Sequence, residues 1–206
     1  ISLSAWINPK SLEAEGTILS KGRTGSSEFS NYAIRQGDGA GAEDRFTFHY
    51  WSSNLLDLAR HRTDATSLRT GVWQHVAAVN ILGNGATTKL YIDGELRASA
   101  WVAGTGGATP IVSTEELWIG ATRSVAVPME EFLGRMDDIR IYSRQLTDNE
   151  IRQIAGEAIP PYRMQALAVN AGTTIVYSVN VDVNTRGFLT NNFCVYSDGN
   201  DTNTSN

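Results

Sequence analysis

The stretch from Phe132 to Ala155, FLGRMDDIRIYSRQLTDNEIRQIA, constrains the fold more than any other part of this chain. It joins an alternating strand to a capped helix across a short turn. Period-two alternation puts Met136, Asp138, Arg140 and Tyr142 on one face, and Asp137, Ile139 and Ile141 on the other. Asp137 is therefore expected to point with the isoleucines toward a core, where a carboxylate needs a partner. Thr147 stands at a helix N-cap with Glu150 three residues on, a capping box that satisfies two orphan amides. Gly156 suits the helix end, and Pro160-Pro161 blocks its resumption. A last strand followed by one short helix is an unusual ending for a β-rich chain, which makes it diagnostic.

The rest of the N-terminal three quarters alternates with period two between turn-forming residues. Strands are predicted at residues 2–8, 17–21, 32–36, 45–51, 55–60, 73–81, 88–92, 95–100, 116–121 and 135–142. Asp93-Gly94 predicts a two-residue hairpin turn. Glycine-rich loops at 22–27, 37–42 and 103–107 would gather at the rims, where specificity usually lies. Many short strands and one late helix make an all-β, antiparallel two-sheet jelly-roll sandwich the expected fold.

Four segments in order carry a family resemblance: ISLSAWINP (Ile1–Pro9), GVWQHVAAV (Gly71–Val79), KLYIDGEL with LWIGA (Lys89–Leu96, Leu117–Ala121), and GRMDDIRIYSRQLTDNEI (Gly134–Ile151). The chain resembles the laminin-G-like jelly-roll domains of the concanavalin A-like lectin/glucanase superfamily. The resemblance assigns residues 1–158 to such a domain and implies an earlier strand before Ile1. Residues 159–206 read as a linker and a partial β-rich second module, since alternation returns over Thr174–Val183 beyond the Pro-Pro break. A strand added to the first sandwich is the alternative. The polar ending SDGNDTNTSN and the start inside a strand suggest a piece of a longer protein.

A net charge of −5 argues against nucleic acid, which calls for clustered basic charge. No apolar run approaches the length of a membrane span, so membrane insertion is not expected. A single cysteine, Cys194, cannot form an internal disulfide and does not identify a compartment. The sequons at Asn200 and Asn203 carry little weight in an Asn/Thr-rich tail.

Catalysis has thin support. His49, His61 and His75 are the only histidines, and no nucleophile elbow, zincin helix or phosphate-cradling loop is present. The glycosidases of this superfamily place two carboxylates on alternate residues of one strand, about 5 Å apart in retaining enzymes. Glu115-Glu116, Glu130-Glu131 and Asp137-Asp138 are adjacent pairs that diverge to opposite faces of a strand. An enzyme is not expected.

The resemblance also implies a structural calcium ion (Ca2+), carried over to Asp137 and Asp138. Equally open is that Asp137 accepts amides or pairs with an arginine while Asp138 is solvated. In the tail, Asp198, Asn200 and Asp201 only partly match the start of a calcium loop.

A sugar site pairs an aromatic platform with polar side chains, because a pyranose has an apolar face and a polar edge. Tyr50 and Trp51 are adjacent at a strand end, so one faces inward and one outward. Trp101 precedes a glycine-rich loop, and Arg35, Arg60, His61 and Arg62 could supply polar contacts. Trp51, Trp101, Tyr50 and Arg60 are the candidate ligand residues; Trp6, Trp73 and Trp118 are expected in the core. The resemblance implies a non-catalytic extracellular module that binds a glycan or a surface protein beside other domains of the same chain. The competing expectation is a ligand-free spacer in an adhesin or a polysaccharide-degrading enzyme.

Overall fold

The computed structural model describes residues 1–12, 15–22, 30–38, 41–53, 58–123 and 128–156. The chain divides into two units, Ile1–Arg163 and Met164–Asn206. The expected second module and the calcium-like tail segment lie outside the described residues, as do parts of the loops at 22–27 and 37–42.

In chain order the strands are β1 (Ser2–Pro9), β2 (Gly16–Lys21), β3 (Tyr32–Gln36), β4 (Phe46–Trp51), β5 (Leu58–Thr63), β6 (Gln74–Ile81) and β7 (Asn84–Ile92). They continue as β8 (Glu95–Arg97), β9 (Ser99–Ala103), β10 (Leu117–Ile119), β11 (Thr122–Arg123), β12 (Pro128–Met129) and β13 (Gly134–Tyr142), before helix α1 (Asp148–Ala155). One sheet runs β13-β1-β6-β7-β8 and the other β10-β2-β3-β4-β5-β9; β11 and β12 form a small ribbon. Every strand pairing within the sheets is antiparallel. This is the expected jelly-roll sandwich.

Alternation explains the core. Leu3, Ala5 and Ile7 of β1, Val76 and Ala78 of β6, and Leu90 and Ile92 of β7 turn inward from the first sheet. They meet Ile34, Phe46, Phe48, Tyr50 and Ala59 from the second. Burying each large apolar side chain contributes roughly 1.5–3 kcal/mol. The Asp93-Gly94 turn has φ of 54° and 79°, both in the left-handed region that this hairpin type requires. A Cβ on Gly94 would lie 3.2 Å from both Ala155 Cβ and Arg152 Cα, so the turn sits directly against α1.

Helix α1 packs on the outer face of the five-stranded sheet. Leu146, Ile151 and Ile154 cluster there with Ala77, Val79 and Tyr91. The capping box is formed: Thr147 N donates to Glu150 Oε2 at 2.7 Å, and Glu150 N donates to Thr147 Oγ1 at 3.3 Å. Arg144 binds both oxygens of Glu150, and Tyr91 Oη donates to Asp148 Oδ1 at 2.8 Å. Gly156 ends the helix in a right-handed conformation, φ −86°, rather than a left-handed one; its amide reaches Arg152 O and Gln153 O. Ser2 Oγ donates to Arg144 O and accepts from Leu146 N, tying the strand-to-helix turn back to β1.

Two features depart from the sequence expectation. The segment 95–100 is two strands: β8 pairs with β7 in one sheet, while β9 pairs with β5 in the other. The second departure is on β13. Arg140 stands opposite Ser4 but Asp137 opposite Trp6, so the ladder slips by one residue. Asp138, at φ 47°, is the extra residue of this bulge. Alternation therefore breaks there. Met136 and Ile139 both pack on the core, while Asp137 joins Trp6 on the outer face instead of facing inward with Ile139.

Candidate functional site

The outer face of the six-stranded sheet is built by the same alternation that fills the core. With Ile34, Phe46, Phe48 and Tyr50 turned inward, Arg35, Thr47, His49 and Trp51 turn outward. Lateral register sets them side by side with their neighbours: Arg35 opposite Thr47, Thr47 opposite Arg62, and His49 opposite Arg60. Thr17 opposes Arg35 on the other side. Three arginines, a histidine and two threonines thus occupy the middle of one sheet face, with Trp51 at its end.

The face is densely polar yet sequestered. Arg35, Thr47 and His49 are 3%, 0% and 4% exposed. Arg35 pairs with Glu130 at 2.8 Å and with Glu15, and Arg62 pairs with the Asp38 carboxylate. Arg60 differs: its Nη1 donates to the backbone carbonyl of Asp38 at 2.8 Å. Burial lowers the Arg35 pKa, opposed by Glu130. Burial also holds His49 well below the usual histidine range, helped by the Arg35 and Arg60 charges, so its ring is neutral at pH 7. Five atoms here are buried without a hydrogen-bond partner: Nε of Arg35, Nε of Arg60, Nδ1 of His49, and Oγ1 of Thr17 and Thr47. Each such atom costs roughly 1–3 kcal/mol.

Of the residues expected to bind ligand, Trp51 and Arg60 come together on this face. Trp51 is half-buried, with its backbone held by Ser30 O and Ile111 N. Tyr50 does not join them. It is fully buried, and its hydroxyl lies 2.6 Å from Gly106 O and 3.0 Å from Ala108 O. Trp101 also turns inward, packing edge-on against His61 at 4.8 Å and Tyr50 at 6.4 Å. Its Nε1 donates to Gly85 O at 3.2 Å, and a Cβ on Gly106 would lie 2.0 Å from its ring. Tyr50 and Trp101 therefore close the sandwich end, on the opposite side of the sheet from Trp51 and Arg60. His61 belongs with them; its Nε2 is 2.9 Å from Ser99 Oγ, and burial lowers its pKa to about 4. Among the tryptophans expected in the core, Trp6 is buried, but Trp73 and Trp118 are only partly so.

The Asp137–Asp138 pair offers a poor donor set for a cation. Asp138 is held by Arg140 at 2.6 Å and 2.7 Å, and Asp137 Oδ1 accepts from the Asp138 amide at 2.7 Å. No group of three or more His, Cys, Asp or Glu with metal-binding geometry occurs among the described residues. Hard cations of the calcium type take six or more oxygens, which these two residues do not approach.

Thr17 and Thr47 were not singled out in the sequence. Their signal lies in lateral register, which separates positions 17, 35, 47 and 60 widely along the chain and unites them across four strands.

Comparison with known proteins agrees with this architecture. A family model, Laminin_G_3, described as the concanavalin A-like lectin/glucanases superfamily, matches residues 1–152. No curated protein sequence matches the chain. Among solved structures, the chain is similar to the CBM40 of the Ruminococcus gnavus IT-sialidase, with TM-score 0.59 and 16% identity over 75% of this chain and 82% of that one. It is also similar to domain 4 of AbnA, a GH43 extracellular arabinanase from Geobacillus stearothermophilus, solved with arabinotriose; the TM-score is 0.55, with 21% identity, 75% of this chain and 65% of that one. A Bacteroides ovatus ATCC 8483 protein proposed to bind carbohydrate gives TM-score 0.55 and 22% identity over 74% of this chain. The chain spans only 39% of that protein's length. At such identities these likenesses carry the fold alone. The family match covers most of the sequence, and the chain belongs to the Laminin_G_3 family of the concanavalin A-like lectin/glucanase superfamily.

Proposed function

We propose that this chain is a non-catalytic glycan-binding module, and that its saccharide lies at the edge of the outer face of the six-stranded sheet against Trp51 and Arg60. One observation carries the proposal: Trp51 and Arg60, both only partly buried, stand on the outer face of one sheet, with His49 opposite Arg60 and on the same strand as Trp51. A sugar is rich in hydroxyl groups that both donate and accept, so it can accept from the partly exposed guanidinium of Arg60 at the edge of that face. Trp51 offers an apolar ring to the C–H face of a pyranose.

Solved neighbours bound to sialyllactose and arabinotriose support this reading, as do their places within larger proteins. The module would accordingly work outside the cell, joined to further domains of its own chain. The carboxylates on and near this face are engaged: Glu130 and Glu15 with Arg35, and Asp38 with Arg62. They are committed to ion pairs rather than poised for acid–base work. A glycan array run alongside a reducing-sugar assay tests both halves. Retention of a glycan without release of reducing ends is expected. Release of reducing ends from a retained polysaccharide would remove the non-catalytic half.

A further inference from the structure

A second feature, remote from the six-stranded sheet face, meets the requirements of a ligand site. At one end of the five-stranded sheet, β1, the residues preceding β6, and the start of β13 enclose a cleft of about 640 Å³. Its lining includes Asn8, Lys10, Thr70, Trp73 and Arg135. A neighbouring cleft of about 540 Å³ shares Lys10 and Thr70, so the two run together along the rim. These sizes suit a saccharide.

The composition of the cleft is unlike that of the chain. The protein carries a net charge of −5, yet among the described residues neither lining contains an Asp or Glu, and together they contain Lys10 and Arg135. Both cations are exposed, and neither forms an ion pair among the described residues. Trp73 is half-buried, with part of its surface lining the cleft. Asn8 and Arg135 are paired across β1 and β13, which sets an amide beside a guanidinium.

The walls are fixed. Gly71 N donates to Pro9 O at 2.7 Å and Lys10 N donates to Leu133 O at 2.8 Å, so all three segments are tied by backbone. Gly71, at φ 73°, has nothing within 4 Å of where a Cβ would stand, leaving room for a ring to approach the backbone. Pre-formed walls lower the ordering cost of binding.

We propose that this cleft is a second saccharide site, selective for a carboxylate-bearing sugar of the uronic acid type. Trp73 would take the apolar face of the pyranose. The planar fork of Arg135 matches a carboxylate, with Lys10 adding a second charge and Asn8 and Thr70 binding hydroxyls. Two exposed cations, and no carboxylate among the described lining residues, assign the acidic sugar here.

Titration calorimetry of the full chain with tetragalacturonate and with its methyl ester tests the proposal. The ester keeps the rings and removes the charge. The acid should bind, and either esterification or Arg135→Gln should weaken binding about tenfold, the usual worth of one charge-assisted contact. Lys10→Gln should weaken it in the same direction, and added salt should do likewise. Both side chains are exposed, so the variants should fold as the parent does. Arg97→Gln, an exposed cation on β8 outside both sites, should leave this binding unchanged. Equal binding of acid and ester, no binding of the acid, or preference for a carrageenan tetrasaccharide, which carries sulfate and no carboxylate, would overturn the assignment. Loss of tetragalacturonate in Arg60→Gln but not in Arg135→Gln would also overturn it, and would leave the six-stranded sheet site standing.

Discussion

Asp138 and Arg140, two residues apart on β13, close a two-point ion pair of 2.6 Å and 2.7 Å across the bulge that Asp138 itself creates. The backbone at Asp138 is left-handed, which a β-branched residue strongly resists and Asn tolerates. Asp138→Val should therefore destabilise the fold by about 1–2 kcal/mol more than Asp138→Asn. Urea denaturation of the two variants checks this. Equal stabilities would mean that the bulge relaxes when its aspartate is lost.

Calcium should not stabilise the described domain through Asp137 and Asp138. A ligand that binds only the native state raises its melting temperature. Because Arg140 already occupies Asp138, melts in calcium and in chelator are expected to coincide. A higher melting temperature in calcium, abolished by Asp138→Asn, would show that the ion displaces the arginine.

Much of the sandwich could be read from alternation because burial on one face of a sheet imposes a strict period of two. The strand at residues 32–36, the hairpin at Asp93-Gly94 and the Thr147–Glu150 cap appear as expected. What escaped was information not stored locally. Nothing in MDDIRIY announces that Asp138 will adopt a positive φ, and that one residue reverses the faces of Met136 and Asp137. Glu95 to Ala100 alternates without a visible break although the chain changes sheets within it. Trp51 and Arg60 were legible as ligand candidates, but their company was not. Thr47, His49 and Arg35 join them only through pairing across neighbouring strands.

Acid should weaken the fold in a defined window. His75 has a pKa lowered to about 4 by burial, with Asp138 opposing; His61 is likewise near 4. His49 is also held well below the usual histidine range, by burial first and then by the charges of Arg35 and Arg60. The folded values lie below the unfolded value near 6.5, so the unfolded chain takes up protons first as pH falls. Stability is fully present above about pH 6.5 and declines toward about pH 4. Denaturation curves between pH 7 and pH 4 should show this decline, and His75→Gln should make it shallower. A flat profile in the parent protein would contradict the buried neutral histidines.

Trp101 should behave as a core plug. It is partly buried and packed on the core, so its alanine variant is expected to cost about 3 kcal/mol, the lower end for aromatic core truncations. Gly106→Ala should also destabilise, by about 1–3 kcal/mol, because the new Cβ collides with the indole ring. Thermal or chemical melts of both variants check the assignment. A cost below about 1 kcal/mol for Trp101→Ala would mark the ring as a surface platform instead.

The most direct test of glycan recognition on the six-stranded sheet is a glycan array comparing the parent chain with Trp51→Ala and Arg60→Gln, each matched for melting temperature. Both positions are only partly buried on the outer face, so each change should cost less stability than Trp101→Ala, which removes a ring packed on the core. The account predicts that the parent retains at least one saccharide and that each variant loses that retention about tenfold or more. Retention unchanged in both variants, or no saccharide held by the parent chain, would contradict it.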